Sequence, residues 1–282
     1  MASTQPLSNA EASAAPLSQD SWSELRKRTI QFVRTSDGRH EHIFRCDNPV
    51  EVWRAQTLAI KEQGTVQWID REVRAGDTFY DIGANIGLYT LLAGKRVGPY
   101  GMVYAFEPHV GNVQSLLHNV SLNQLSGQVR VLSCALNDRE GFFDFNYHQP
   151  MAGTSMSQLN DSRDAGGEEF APCFAEYKFA TTIDRLIQQG HIRPANHVKI
   201  DVDGNELLIL RGMREFLAGP RGPRTLQVEI NTRYKADLFA LLRAAGYKDF
   251  DRHDTDHGKK AIARGHDPET IGYNAIFRRA AA

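Results

Sequence analysis

Cysteine is scarce in this chain: Cys46, Cys134 and Cys173 stand far apart and form no CxxC pair. That spacing offers neither a zinc site nor a disulfide framework, and isolated reduced thiols in a reducing compartment are the expectation. Long apolar runs are missing too, since none approaches the roughly 18 residues needed to cross a bilayer. A basic excess is likewise lacking: 33 Lys plus Arg stand against 34 Asp plus Glu, for a formal net charge of -1. A protein whose main partner is duplex nucleic acid usually carries surplus positive charge, so that partner class is not expected. The opening residues, "MASTQPLSNAEASAAPLSQD", have neither the basic start nor the apolar centre of a secretory signal. Their Ala/Ser-rich composition with two prolines predicts a flexible tail over 1–20, and the cytoplasm is the default location.

What is present reads as a soluble globular chain, with 41% hydrophobic and 24% charged residues. Its 282 residues suffice for one large domain or two small ones. "SWSELRKRTIQFV" fits a helix capped by Ser21 or Ser23, and "VEVWRAQTLAIKEQGTVQWIDREV" fits one long helix with Val52, Ala55, Ile60 and Val66 on its apolar face. Residues 21–70 are therefore expected to form an N-terminal cap on the main domain, without recognisable chemistry. From Asp77 onward, short apolar runs alternate with helical patterns, the signature of a parallel sheet flanked by helices. The runs "TFYDIG", "GMVYAFEP", "QVRVLSCAL", "HVKIDVDG", "RTLQVEI" and "YNAIFRR" supply strands. An insertion at about 142–178 interrupts them, with "GFFDFNYH" alternating like a hairpin arm and a polar loop over 161–169. That insertion is either a lid or acceptor-binding element, or a surface excursion.

The first strand ends in a glycine turn, "DIGANIG". Open α/β sheets bind ligands beyond the carboxyl ends of their strands, where strand order reverses. Asp81, Gly83 and Gly87 occupy such an end, and Glu107 ends the second strand, 20 residues after Gly87. That is the separation of a carboxylate taking ribose hydroxyls. A dinucleotide fingerprint needs a glycine where this chain has Asn85, so that backbone can approach a pyrophosphate. Asp81 would add negative charge near a phosphate. A Walker A loop is excluded as well, because "YTLLAGKR" lacks the first glycine and the Ser/Thr after Lys95. A ligand with ribose, no phosphate and a cationic amino-acid tail suits the turn better, and S-adenosylmethionine is such a ligand. Asp81 would face its ammonium and sulfonium end and Glu107 its ribose. The plainer alternative is a tight turn in which Asp81 caps the helix.

"DIGANIGLYTLLA", "VYAFEP", "HVKIDVDGNELLILRGM" and "LQVEIN" together resemble the FkbM family of S-adenosylmethionine-dependent methyltransferases, over about residues 72–279. The family usually carries Glu where this chain has Asp203. The resemblance implies an α/β, Rossmann-like class I methyltransferase domain over 71–282. Its seven-stranded, mostly parallel sheet would carry helices on both faces and one antiparallel strand, here "YNAIFRR". It also implies a cofactor over Asp81, Gly83 and Asn85, ribose on Glu107, and adenine near Ala135 and Leu136. Family members act mainly on hydroxyl groups of sugars, glycolipids and secondary metabolites.

Three carboxylates, Asp201, Asp203 and Glu206, cluster after the fourth core strand in "DVDGNE". Asp201 and Asp203 share one face of an extended segment. Asp201 is the first choice of base or substrate anchor, whereas Asp203 serves either chemistry or a capping box with Glu206. Glu229 and Asn231 of "VEIN" end the neighbouring strand. Asp201, Glu229 and Asn231 are oxygen ligands of the kind a divalent cation takes, but hydrogen bonding without metal is the favoured expectation. His253 and His257 of "DRHDTDH" are expected in a solvated loop. The other function classes are an RNA or protein methyltransferase and a non-catalytic cofactor-binding module. Against the former, "DVDG" stands where nucleic-acid amino-methylating enzymes often carry a proline-aromatic turn.

Overall fold

The computed structural model describes residues 30–163 and 168–280. The tail over 1–20 and the capping residues Ser21 and Ser23 lie outside them, as does part of the polar loop of the insertion. Gln31–Ser36 (β1) and Glu41–Cys46 (β2) pair as an antiparallel hairpin. Gln31, Phe32 and Val33 are thus extended rather than helical, and β2 buries His42, Phe44 and Cys46 at the strand period of two. Asn48 then caps Pro49–Gln56 (α1), its side chain accepting from the Val50 and Glu51 amides.

The single helix expected over 50–73 is two helices, the second being Gln63–Glu72 (α2). Thr57 ends the first by turning its hydroxyl back onto the Trp53 carbonyl at 2.8 Å. Glu62, at the start of the second, is buried and accepts from Thr65 and Asn274.

The alternating region follows as Thr78–Ile82 (β3), Leu88–Val97 (α3), Met102–Phe106 (β4), Val110–Leu122 (α4) and Val129–Leu132 (β5). "QVRVLSCAL" is split: Ala135–Leu136 (β6) leaves the main sheet and pairs with the insertion. The insertion contributes Gly141–Tyr147 (β7), Gln158–Leu159 (β8) and Phe174–Thr181 (β9) to a four-stranded sheet ordered β6-β9-β7-β8. Ala135, Phe145, Tyr147, Leu159 and Ala180 form its small core.

Next come Ile183–Gln188 (α5), His197–Ile200 (β10), Glu206–Arg211 (α6), Arg214–Ala218 (α7) and Thr225–Ile230 (β11). The chain finishes with Lys235–Ala244 (α8), Tyr247–Asp254 (β12), Asp256–Ala263 (α9) and Tyr273–Arg279 (β13).

The main sheet has seven strands in the order β12-β13-β11-β10-β3-β4-β5. Its strands are parallel except β13, which runs antiparallel to both β11 and β12. This is the Rossmann-like methyltransferase sheet, with "YNAIFRR" as the reversed strand. β12 replaces the solvated loop expected around His253, which pairs opposite Asn274. Its ring packs so closely on α2 that a Cβ at Gly64 would lie 2.5 Å away.

All five residues of β3 and of β4 are buried, as both faces of a parallel sheet require. Alternation sends Tyr80 and Ile82 into one core with Tyr104, Phe106, Val198 and Leu210. Phe79 enters the other, with Leu91, Leu92 and Val103, and that second core also contains Phe44, Ala55, Leu58, Trp68 and Ile69. The indole of Trp68 donates to Thr225 Oγ1 at 2.9 Å, joining α2 to β11. Sequence order reverses at β3, which has β4 on one side and β10 on the other, so the crevice at its carboxyl end is where such sheets hold a ligand.

Candidate active site

β3 delivers the glycine turn to that crevice. Gly83 has φ +79, and a Cβ there would lie 1.9 Å from the Asp201 carbonyl oxygen, so only glycine lets the turn pass the end of β10. Asn85 also takes a left-handed conformation, φ 49, which asparagine tolerates better than other residues with a side chain. The amides of Gly83 and Ala84 donate to the Phe106 carbonyl at 3.0 and 3.1 Å, tying the turn to the end of β4. Gly87 starts α3 at φ +97, where a Cβ would lie 2.6 Å from Leu116.

Glu107 is held by the same turn. Its two carboxylate oxygens accept from the Asn85 amide at 2.7 Å and the His109 amide at 2.9 Å. Burial nonetheless pushes its pKa up to about 7. The carboxylate lines a cleft with Gly83, Asn85 and Asp201, and each oxygen retains a lone pair for a ligand hydroxyl. Beside it, Phe106, Pro108, Ala135, Leu136, Phe145 and Val202 line an apolar slot. Among the sequence candidates, Gly83, Asn85, Glu107, Ala135 and Leu136 therefore line adjoining spaces, with Gly83 common to the slot and the clefts beside it.

Asp81 is placed differently. It is fully buried, accepts from Thr90 Oγ1 at 2.5 Å, and lies 3.6 Å from the ammonium of Lys199. Its carboxylate therefore turns toward Thr90 and Lys199 rather than standing open to the crevice. The cause is register: Lys199 is its direct neighbour on the adjacent parallel strand. Lys199 is itself buried and reaches Asp201 at 3.2 Å, with its Nζ 5.1 Å from the Tyr89 ring centre. Burial works against that positive charge, but Asp201 and Asp81 outweigh it and hold the lysine's pKa above its usual value. Burial likewise opposes ionisation of Asp201, yet Lys199 keeps its pKa below the ordinary carboxylate value.

Of the two readings of Asp203, the capping box with Glu206 does not form. Asp203 has φ 60 and accepts from the Met156 amide at 2.9 Å, while its carbonyl accepts from Gln158 Nε2 at 2.6 Å. It grips the insertion instead of starting a helix. Asn205 precedes α6 without a side-chain cap, and Glu206 Oε1 accepts from the Val202 and Gly204 amides, both at 3.1 Å. Burial raises the pKa of Asp203, with the Asp201 charge adding to it, and burial takes Glu206 up to about 7. Glu229, at the end of β11, is pushed well above the carboxylate range by burial and by the charges of Asp201, Glu206 and Asp203. Asn231 donates to Glu229 at 3.3 Å. Among the described residues no group of three or more His, Cys, Asp or Glu side chains is placed to hold a metal ion, and the cation beside Asp201 is Lys199. His253 lies in β12; the side chain of His257 is outside the described residues.

Asp201, Asp203 and Glu229 face a cleft of about 490 Å³ whose far wall is Trp53, Arg54, Lys61 and Glu62. Those four residues were not anticipated, because a local amphipathic pattern does not announce that a helix end borders a cleft. Lys199 was legible in principle, two residues before Asp201 on the same strand face. The crevice thus combines a cleft at the Glu107 carboxylate, an apolar slot and a wider carboxylate-lined cleft. That set fits a nucleoside carrying a cationic tail, next to a second, hydroxylated molecule.

The family profile described as the Methyltransferase FkbM domain matches residues 81–248. The hexuronic acid methyltransferase AglP of Haloferax volcanii is 25% identical over 174 residues, covering 62% of this chain and 65% of that protein. The 31-O-demethyl-FK506 methyltransferase FkbM of Streptomyces tacrolimicus is 28% identical over 200 residues, covering 62% of this chain and 74% of that one. The chain thus spans less than two thirds of the length of the Haloferax protein. The solved structure of methyltransferase FkbM from Methylobacillus flagellatus superposes with a TM-score of 0.45 at 14% identity, over 82% of this chain and 55% of that one.

Proposed function

The chain belongs to the FkbM methyltransferase family, and from that premise we propose that it methylates a hydroxyl oxygen of a sugar, glycolipid or secondary metabolite. The observation carrying this reading is the continuity of two sites across Gly83, from the Glu107 cleft to the cleft lined by Asp201, Asp203 and Glu229. The names of the Haloferax and Streptomyces relatives, a hexuronic acid methyltransferase and a 31-O-demethyl-FK506 methyltransferase, favour oxygen acceptors.

Glu107 takes the ribose hydroxyls of S-adenosylmethionine, and the slot over Ala135 and Leu136 takes its adenine. Asn85 and Gly87 fix the turn beneath it. When bound, the cofactor supplies a methyl group already activated on a sulfonium. The chain's own task is then alignment, which supplies roughly 7–11 kcal/mol in well-oriented reactions, with a base adding perhaps 10²–10⁴-fold. Asp201, ionised and steadied by Lys199, accepts a hydrogen bond from the acceptor hydroxyl and orients its oxygen. Glu229, whose pKa burial and the neighbouring carboxylates raise, lines the same cleft as a second proton-handling group beside Asp201. Asp203 and Glu206 hold the loop that carries Asp201.

Calorimetric titration with S-adenosylmethionine tests the cofactor assignment. Binding is expected and should be lost in Glu107→Ala; no binding by the intact chain at hundreds of micromolar overturns it. Radiolabelled S-adenosylmethionine with cell extracts then identifies the acceptor by the labelled product, and alkali-stable label on an ether oxygen is the expected outcome.

A further inference from the structure

The far wall of the cleft comes from α1 and the turn after it, a segment that precedes the matched residues 81–248. Trp53 stands there with 49% of its surface exposed, unlike the fully enclosed Trp68. Tryptophan is usually well covered in a folded domain, so an open indole facing a cleft marks a surface for contact. Its surroundings are fixed. Lys61 Nζ lies 5.7 Å from the ring centre and pairs with Glu62 at 3.3 Å. Neighbouring Arg54 donates through Nε to the Gly153 carbonyl, joining this wall to the insertion.

We propose that Trp53 is the seat of the methyl acceptor, its indole stacking on the C–H face of a neutral sugar ring whose hydroxyls reach Asp201 and Glu229. The inference rests on the methyltransferase reading and adds the subsite, which lies outside the family-matched residues. A pyranose presents an apolar face and a hydrogen-bonding edge. The indole matches the first, and carboxylates acting as acceptors match the second. Asp201, which Lys199 keeps ionised, favours a neutral ring over one that carries its own carboxylate.

Saturation-transfer NMR of the full chain with methyl β-D-glucopyranoside, methyl α-D-mannopyranoside and D-glucuronate tests the proposal, with S-adenosylmethionine binding measured separately by calorimetry. Ring C–H signals of at least one neutral glycoside should saturate. Trp53→Ala should weaken binding about tenfold, the order expected for losing the indole's apolar contact area, while Trp53→Phe retains most of it. Glucuronate should bind more weakly than the glycoside. Unchanged melting midpoints confirm folding, and Trp53→Gln serves if the alanine variant does not fold. No saturation of either glycoside, an undiminished signal in the folded variant, or preferred binding of glucuronate overturns the proposal. Failure of S-adenosylmethionine to bind would instead remove the methyltransferase reading and leave the sugar measurement standing.

Discussion

Lys199 places its ammonium 3.2 Å from Asp201 and bridges that residue to Asp81, which no water reaches. The pair joins a strand core to a cleft, so one buried cation serves both the stability of the sheet and the charge of the site.

Replacing Lys199 with Met should therefore leave Asp81 as an unpaired buried carboxylate, at a cost of about 3–5 kcal/mol. Urea unfolding would register it as a lower midpoint, and adding Asp81→Asn should recover part of the loss. A lysine variant that unfolds like the parent would show that Asp81 takes up a proton or is satisfied by Thr90 alone.

Asp201→Asn keeps the shape of the side chain and removes its charge. Affinity for S-adenosylmethionine should be retained while turnover falls by about 10²-fold or more. Initial-rate measurements decide the matter: undiminished kcat would eliminate Asp201 as the residue that orients or deprotonates the acceptor.

Glu107 makes stability depend on pH in a direction opposite to most carboxylates. Its folded pKa of about 7 lies above the ordinary 4.5, so its ionisation opposes folding in the ligand-free chain. The sign follows: no penalty exists below the ordinary pKa, it grows as pH rises from there, and it levels off above about 7. Between pH 5 and pH 8, Glu107→Gln should gain about 2 kcal/mol relative to the parent, whatever their offset at pH 5. Parallel denaturant titrations at both pH values would refute this if the difference stays constant.

Asp203→Ala should loosen the insertion, because it frees the Met156 amide. Hydrogen exchange at residues 154–158 should quicken while α3 and the main sheet stay protected. Unaltered exchange there would mean that the Asn85 bond to the Thr154 carbonyl, 2.9 Å, and the Gln158 bond to the Asp203 carbonyl suffice without it.

Periodicity made the sheet legible from Asp77 onward, since β3, β4, β10 and β11 are apolar runs bounded by turn residues. β12 escaped notice because "YKDFDRHD" is polar, and an edge strand needs only one apolar face. Glu107 was found by its spacing from the glycines. The inward turn of Asp81 was hidden, because it depends on which residue of β10 stands in register with it. The grip of Asp203 on the insertion was hidden for a similar reason: a helix-capping spacing is local, whereas its partner, Met156, lies 47 residues earlier in the chain.

Residues that the family profile leaves out are not a detachable preface. Phe44, Leu58, Trp68 and Ile69 sit in the same core as Phe79 and Leu91, and Trp68 is bonded to Thr225. A fragment cut just before β3 would keep every residue of the glycine turn, yet bare one greasy side of its sheet to water. The shortest self-sufficient version of this fold therefore begins ahead of its recognisable motifs, and trimming to those motifs invites aggregation.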